Sequence, residues 1–314
     1  MCAVFGYLDY KGKVSNAILK KLIQNLSIAA KVRGTDATGI GYVNHGKVVT
    51  FKKAKPAHKV KLYFPKNTRT VIGHTRMTTQ GSEKYNYNNH PFDGRCGTET
   101  FALAHNGVLY NDAELKAKYH LPKTQIETDS YVAVQLLEQE KQLHAESIKR
   151  MAESVEGSFV FTILRNDNTL FLVKGNNPLT LYHFPALGLY VYASTKTILD
   201  NVLQQINLSD KCCEIDVSEG EIVEIAANGK IRKSNFAMQD YTHSVFNPYN
   251  WYETEEQEEF LLECCRMFGV PEEDVYLLLD YGFSADEIEE MLMNPNLLED
   301  ALAEISVLEQ EDAE

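Results

Sequence analysis

The sequence predicts an α+β protein in which two β-sheets are covered by helices, followed by a short all-helical segment. Short apolar runs of strand length recur over residues 1–225, with a few stretches of helical period between them. After residue 250 the strand patterns give way to apolar stripes at helical spacing. At 314 residues the chain can hold a large core in one or two domains. The reading is a body over 2–245 and an acidic helical module over 250–314.

The first strand covers residues 3–8, where Ala3-Val4-Phe5-Gly6-Tyr7 is nearly continuous in apolar character. Lys11-Gly12-Lys13 turns the chain into a helix over 15–32, with Ile18, Leu19, Leu22, Ile23 and Leu26 at helical spacing. Strands at 39–43 and 48–51 are joined by the turn Asn44-His45-Gly46. Further strands are expected at 70–75 and 101–105, and helices at 114–119, 130–139 and 145–154. Beyond Gly157 strands follow at 159–164, 170–174, 179–182, 189–193, 214–217 and 221–225, with one helix at 197–204. Phe246-Asn247-Pro248 marks a boundary. Thr254 and Gln257 form a capping box that opens a helix striped by Phe260, Leu261, Cys264, Cys265 and Phe268. Gly269 closes it, Pro271 sits in a first turn, Ser284 and Glu287 cap a third helix, and Asn294-Pro295 ends that one. Leu297, Leu298, Ala301, Leu302 and Ile305 stripe a fourth.

Composition narrows the function classes. No apolar run approaches the length of a membrane span, and the start lacks the layout of a signal peptide. The six cysteines include two adjacent pairs, a poor disulfide framework without zinc spacing, which points to a reducing, cytoplasmic setting and to no metal. Residues 250–314 hold 21 acidic residues and one basic residue, Arg266. That leaves residues 1–249 with 23 of the 44 acidic and 30 of the 31 basic residues. The tail is therefore suited to a basic surface or to solvent. The mildly basic body has no aromatic-interleaved basic patch, so nucleic acid is not an expected partner.

Chemistry enters at the second residue. Cys2 follows Met1, and a small second residue permits removal of the initiator. The processed chain would then carry a thiol and a free α-amine on one residue, nucleophile and base together. The amine's pKa of roughly 7.7–8.0 and the thiol's of roughly 8.5 allow proton exchange near neutrality. Downstream, in fixed order, stand Arg33-Gly34-Thr35-Asp36, Gly73-His74-Thr75-Arg76, Met77-Thr78-Thr79-Gln80-Gly81, Asn89-His90-Pro91, Ala104-His105-Asn106-Gly107 and Glu127-Thr128-Asp129.

With Cys2, this ordered set resembles the class II (N-terminal nucleophile) glutamine amidotransferase domain, as in the glutaminase half of glucosamine-6-phosphate synthase and in amidophosphoribosyltransferase, from Cys2 to about residue 225. The resemblance implies the four-layer αββα sandwich of the N-terminal nucleophile hydrolases. It also implies hydrolysis of L-glutamine through a γ-glutamyl thioester on Cys2, without a cofactor. By the same resemblance, the Asn106 side chain and the Gly107 N–H form the oxyanion hole. Arg76 clamps the substrate carboxylate, Asp129 meets its ammonium, and Thr79 and the Gly81 backbone assist. Arg33 and Asp36 support the nucleophile's surroundings. The expected partner is a separate synthase chain that takes the ammonia. Another γ-glutamyl amide as substrate, or a silent regulatory protein retaining the fold, are the alternatives.

The residues alone permit plainer readings. Asn106-Gly107 is also a tight-turn dipeptide, Thr128-Asp129 a helix cap, and Arg33 with Asp36 a structural ion pair. His74, His90 and His105 lack compact metal spacing and are taken as structural. Three positions depart from the family pattern: Ala3 stands where glycine is usual, Met77 where an aromatic is common, and Gln80 where a histidine is expected.

Overall fold

A computed structural model of the chain describes residues 2–206, 208 and 212–238. Beyond these it describes 261–262, 265–266, 268–281, 283, 288, 291–292, 297–298, 301–303 and 305. The chain falls into two compact units, Met1–Gln239 and Asp240–Glu314.

The first unit is built on two antiparallel sheets. β1 (Ala3–Asp9) is the middle strand of seven. On one side it pairs with β4 (Thr70–Arg76), followed by β2 (Ala37–Asn44) and β3 (Lys47–Lys53). On the other it pairs with β10 (Leu189–Ala193), then β9 (Thr180–Phe184) and β11 (Cys213–Ile215). The second sheet has six strands, in the order β13 (Ile231–Asn235), β12 (Glu221–Ile225), β8 (Leu170–Lys174), β7 (Gly157–Arg165), β6 (Glu99–Leu109) and β5 (Phe92–Cys96).

Strand periodicity divides the core into layers. In β1, Val4 and Leu8 join Ile72, Ala102, Ala104 and Val160 in the apolar layer between the sheets. The alternate residues Ala3, Phe5 and Tyr7 face Leu22, Ile23 and Leu26 of α1 (Asn16–Ala29) and Leu199 of α5 (Lys196–Gln205). Phe159, Phe161 and Ile163 of β7 turn instead to α3 (Tyr131–Glu138) and α4 (Ala145–Ser154). Strands buried on both faces read as nearly unbroken apolar runs, which explains β1. Each fully buried aromatic contributes on the order of 1.5–3 kcal/mol. The result is the αββα sandwich.

Several expected elements shift. The strand expected at 101–105 runs on through Asn106 and Gly107 to Leu109, because β7 pairs along its whole length. Asn106-Gly107 is thus strand and not a turn: the ladder overrides the local preference of the dipeptide. β5 and β13 were not expected; Phe92–Cys96 carries only Asp93, Gly94 and Arg95 inside it but pairs with β6. Another helix of this unit, α2, spans Asp112–Lys118. The helix expected over 15–32 ends at Ala29 and closes in a 3₁₀ turn over Ala30–Arg33.

In the second unit, α6 (Glu272–Asp280) begins after Pro271, which is its N-cap and not a first-turn residue. Glu272, Glu273 and Asp274 suit the positive end of its dipole. Gly269 has a φ of 76°, in the left-handed region. Phe268 and Leu297, expected on buried stripes, are exposed, whereas Leu261, Cys265, Ala301 and Ile305 are buried. Phe268 leaves its stripe because the chain is already turning there. The boundary at 246–250 and Thr254, Gln257, Phe260, Cys264, Ser284, Glu287, Asn294 and Pro295 lie outside the described residues. Among the described residues no helix is long and apolar enough to cross a membrane.

Candidate active site

Antiparallel pairing of β1 with β4 sets Ala3 opposite Thr75, so Cys2 comes level with Arg76 at the end of the sheet. The Cys2 thiol lies 3.4 Å from the Met77 carbonyl, and the Met77 N–H donates to the sulfur at 3.4 Å. Arg33 Nε donates to the Cys2 carbonyl at 3.1 Å. Asp36 ties down the next turn: its N–H donates to the Arg76 carbonyl, and its carboxylate accepts the Thr78 N–H at 2.7 Å. Gly34 is required here, since a Cβ at that position would stand 2.5 Å from the Arg76 carbonyl carbon. Burial pushes the Cys2 thiol up, while Met77 and Arg76 act in the opposite sense. The thiol therefore needs a base to ionise it near neutrality.

Arg76 is buried, and both of its terminal nitrogens bond the protein. Nη1 donates to Asn89 Oδ1 at 2.7 Å, and Nη2 to the carbonyls of Gln80 and Gly81 at 2.6 and 2.9 Å. Gly81 thus meets Arg76 through its backbone oxygen. Asn89 also donates to the Glu83 carbonyl, and its own carbonyl accepts from Lys52 Nζ. Burial lowers Lys52 to about 8.

The opposite wall comes from the second sheet. Cys2, Arg76, Thr79, Gly107 and Asp129 line one cleft. Asp129 follows Thr128 just before α3; its Oδ2 accepts the Leu109 N–H at 2.7 Å and its Oδ1 the Ser130 hydroxyl at 3.4 Å. Neither Thr128 nor Asp129 caps α3, whose N-cap is Ser130. Asn106 is fully buried, and neither end of its carboxamide finds a partner among the described residues. Gly107 has a φ of 138°, and a Cβ there would stand 1.9 Å from the Ser158 carbonyl oxygen, so only glycine fits.

Behind the cleft the three motif histidines come together. His74 and His90 have ring centroids 4.3 Å apart, and His74 Nε2 bonds the His105 carbonyl at 2.8 Å. His105 Nδ1 meets Ser130 Oγ at 2.8 Å. Burial pushes His74 down to about 3, His90 well below its usual range, and His105 downward. The cluster is neutral at physiological pH. All the sequence-predicted residues thus lie in or around one cleft: Arg33 and Asp36 support from outside it, and Asn106 is buried beside Gly107. Sequence reasoning gave no role to Asn89, although it stands in the quoted Asn-His-Pro segment, and missed Asn177 and Ser130. Their contacts join segments 13, 71 and 25 residues apart, and no local pattern signals them.

Residues 74–201 match the family described as a glutamine amidotransferase domain. Over this stretch the chain is similar to a glutamine amidotransferase domain. Glutamine--fructose-6-phosphate aminotransferase [isomerizing] of Bacillus subtilis (strain 168) is 27% identical over 270 residues, 82% of this chain and 43% of that protein. The 7-cyano-7-deazaguanine synthase 2 of Sulfurisphaera tokodaii is 29% identical over 244 residues, 74% of this chain and 50% of its own length. The chain thus spans half or less of the length of these curated relatives. The fold is similar to that of the glutamine phosphoribosylpyrophosphate amidotransferase of B. subtilis, with a TM-score of 0.59 at 22% identity over 76% of this chain and 50% of that one.

Proposed function

We propose that the protein hydrolyses the side-chain amide of L-glutamine to glutamate and ammonia with Cys2 as nucleophile. The observation that carries this reading is the meeting of Cys2, Arg76, Gly107 and Asp129, from four distant segments, at one cleft, with the orphaned carboxamide of Asn106 beside Gly107. The sulfur adds to the amide carbon, the carbonyl π pair moves onto oxygen, and the thiol proton passes to the α-amine of Cys2. That amine requires removal of Met1, which lies outside the described residues. Asn106 Nδ2 and the Gly107 N–H donate to the oxyanion. Collapse of the adduct expels ammonia carrying the proton, and water then cleaves the γ-glutamyl thioester to release glutamate and restore the thiol. Arg76 takes the α-carboxylate in a two-point grip, exchanging its bonds to Gln80 and Gly81 for the substrate, and Asp129 takes the α-ammonium.

Ammonia then passes to an acceptor bound by a separate synthase chain. The names of the curated relatives support the transfer of ammonia to an acceptor, because one pairs glutamine with fructose 6-phosphate and the other is a deazaguanine synthase. The test is an intact-mass spectrum with and without a glutamine-analogue electrophile, alongside glutamate release by wild type and Cys2→Ala. The expected result is loss of Met1, one adduct on Cys2, and no turnover in the variant. Full turnover by Cys2→Ala, or by protein that retains Met1, would overturn the mechanism.

A further inference from the structure

Asn177 is 1% exposed and lies in the loop between β8 and β9. Its Nδ2 donates to the Asn106 carbonyl at 2.9 Å. That carbonyl belongs to the same peptide unit as the Gly107 N–H, the proposed backbone donor of the oxyanion hole. In a trans peptide the two groups point in opposite directions. Fixing the carbonyl therefore fixes the direction of the N–H.

The hydrogen bonds of β6 give that direction. The His105 carbonyl accepts from His74, on β4 of the other sheet. The next peptide unit, Asn106 to Gly107, is reversed in an extended strand, so its carbonyl faces away from His74 and toward Asn177. Its N–H consequently returns to the side on which Gly107 lines the cleft with Cys2. Asn177 is itself held: its carbonyl accepts from Lys174 Nζ, and the adjoining Gly175 N–H and Asn176 Oδ1 bond the Phe159 carbonyl and N–H at 3.0 and 3.1 Å. Phe159 is the register partner of Gly107. The loop is thus fastened to the one point of β7 that faces the glycine.

We infer that Asn177 is a positioning residue for catalysis: by donating to the Asn106 carbonyl it aims the Gly107 N–H at the developing oxyanion and strengthens it as a donor. A hydrogen bond on the carbonyl polarises the whole peptide unit, which makes its N–H more acidic. Gly107, with a positive φ and no side chain, cannot hold this orientation by its own sterics. The inference rests on the hydrolase reading above.

The test uses Met1-processed full-length protein and two variants, Asn177→Asp and Asn177→Ala. Aspartate keeps the size of asparagine but, when ionised, has no proton to donate. Two ligands are compared. The γ-aldehyde analogue of glutamine forms a thiohemiacetal with Cys2, whose oxygen occupies the oxyanion position; glutamate makes no such bond. The ratio of aldehyde to glutamate affinity should fall about 10–100-fold in both variants, below the loss expected for deleting a donor outright. kcat should fall by a similar factor, with KM within about threefold of wild type. Partial misfolding would lower the binding stoichiometry and leave the ratio untouched. An unchanged ratio in variants that bind glutamate would overturn the role of Asn177. Wild-type protein that neither turns over glutamine nor binds the aldehyde would overturn the hydrolase reading, and the assignment with it.

Discussion

The two walls of the cleft differ in how far the protein satisfies them. On the wall built from β1 and β4, Arg76 already bonds Asn89, Gln80 and Gly81, and the Cys2 sulfur bonds Met77. On the wall built from β6 and the start of α3, the Asn106 carboxamide and the Thr128 hydroxyl are buried without partners among the described residues. The first wall must exchange bonds to accept a ligand, whereas the second holds unspent donors in fixed positions. On the proposed reading, Arg76 of the first wall binds the ground state, and Asn106 of the second stabilises developing charge beside Asp129, which holds the substrate ammonium.

Replacing Cys2 by alanine should produce the largest loss, about 10⁴-fold or more in glutamate release, because no other group on either wall can form the thioester. Asn106→Ala comes next, with kcat down about 10²–10³-fold and KM nearly unchanged. Its unfolding free energy should not decrease, since a buried unsatisfied amide costs about 1–3 kcal/mol. A clear loss of stability on denaturant titration would mean that Asn106 holds the fold together, contrary to its orphaned state. Arg76→Ala inverts this pattern: KM should rise about 10–100-fold, and stability should fall by about 2–4 kcal/mol as Asn89, Gln80 and Gly81 lose their donor. If that variant kept wild-type KM, the first wall would not be the binding wall.

The smallest effect concerns the histidines behind both walls. His74 is held near 3 when folded, against about 6.5 when free, so below pH 6.5 the unfolded chain takes up a proton that the folded chain refuses. Its stabilising contribution is complete above pH 6.5 and is lost at about 1.4 kcal/mol per pH unit as pH falls toward 3. Urea titrations between pH 7.5 and 5 should give a shallower dependence for His74→Gln than for wild type. Equal slopes would count against a neutral buried His74.

Legibility in the sequence divides along similar lines. β1, β8 and β10 were readable because strands buried on both faces carry unbroken apolar runs. The histidines were visible only as separate motif members; their stacking depends on β4, β6 and the Asn89–Pro91 segment meeting across two sheets. Asn106-Gly107 carries a turn signal, and only pairing with β7 makes it strand. Asn89 and Asn177 act through side-chain bonds to atoms far away in sequence, and an isolated asparagine carries no sign of such a partner.

The central position of β1 also governs how the reactive end is lost. With β4 hydrogen-bonded on one side and β10 on the other, the strand that carries Cys2 cannot fray without parting the middle of a seven-stranded sheet. The amides of Phe5 and Tyr7 should then be among the slowest to exchange with deuterated solvent, opening only with the whole unit. Heat inactivation should follow the same cooperative transition, so that a folded population with a disarmed nucleophile does not accumulate ahead of it.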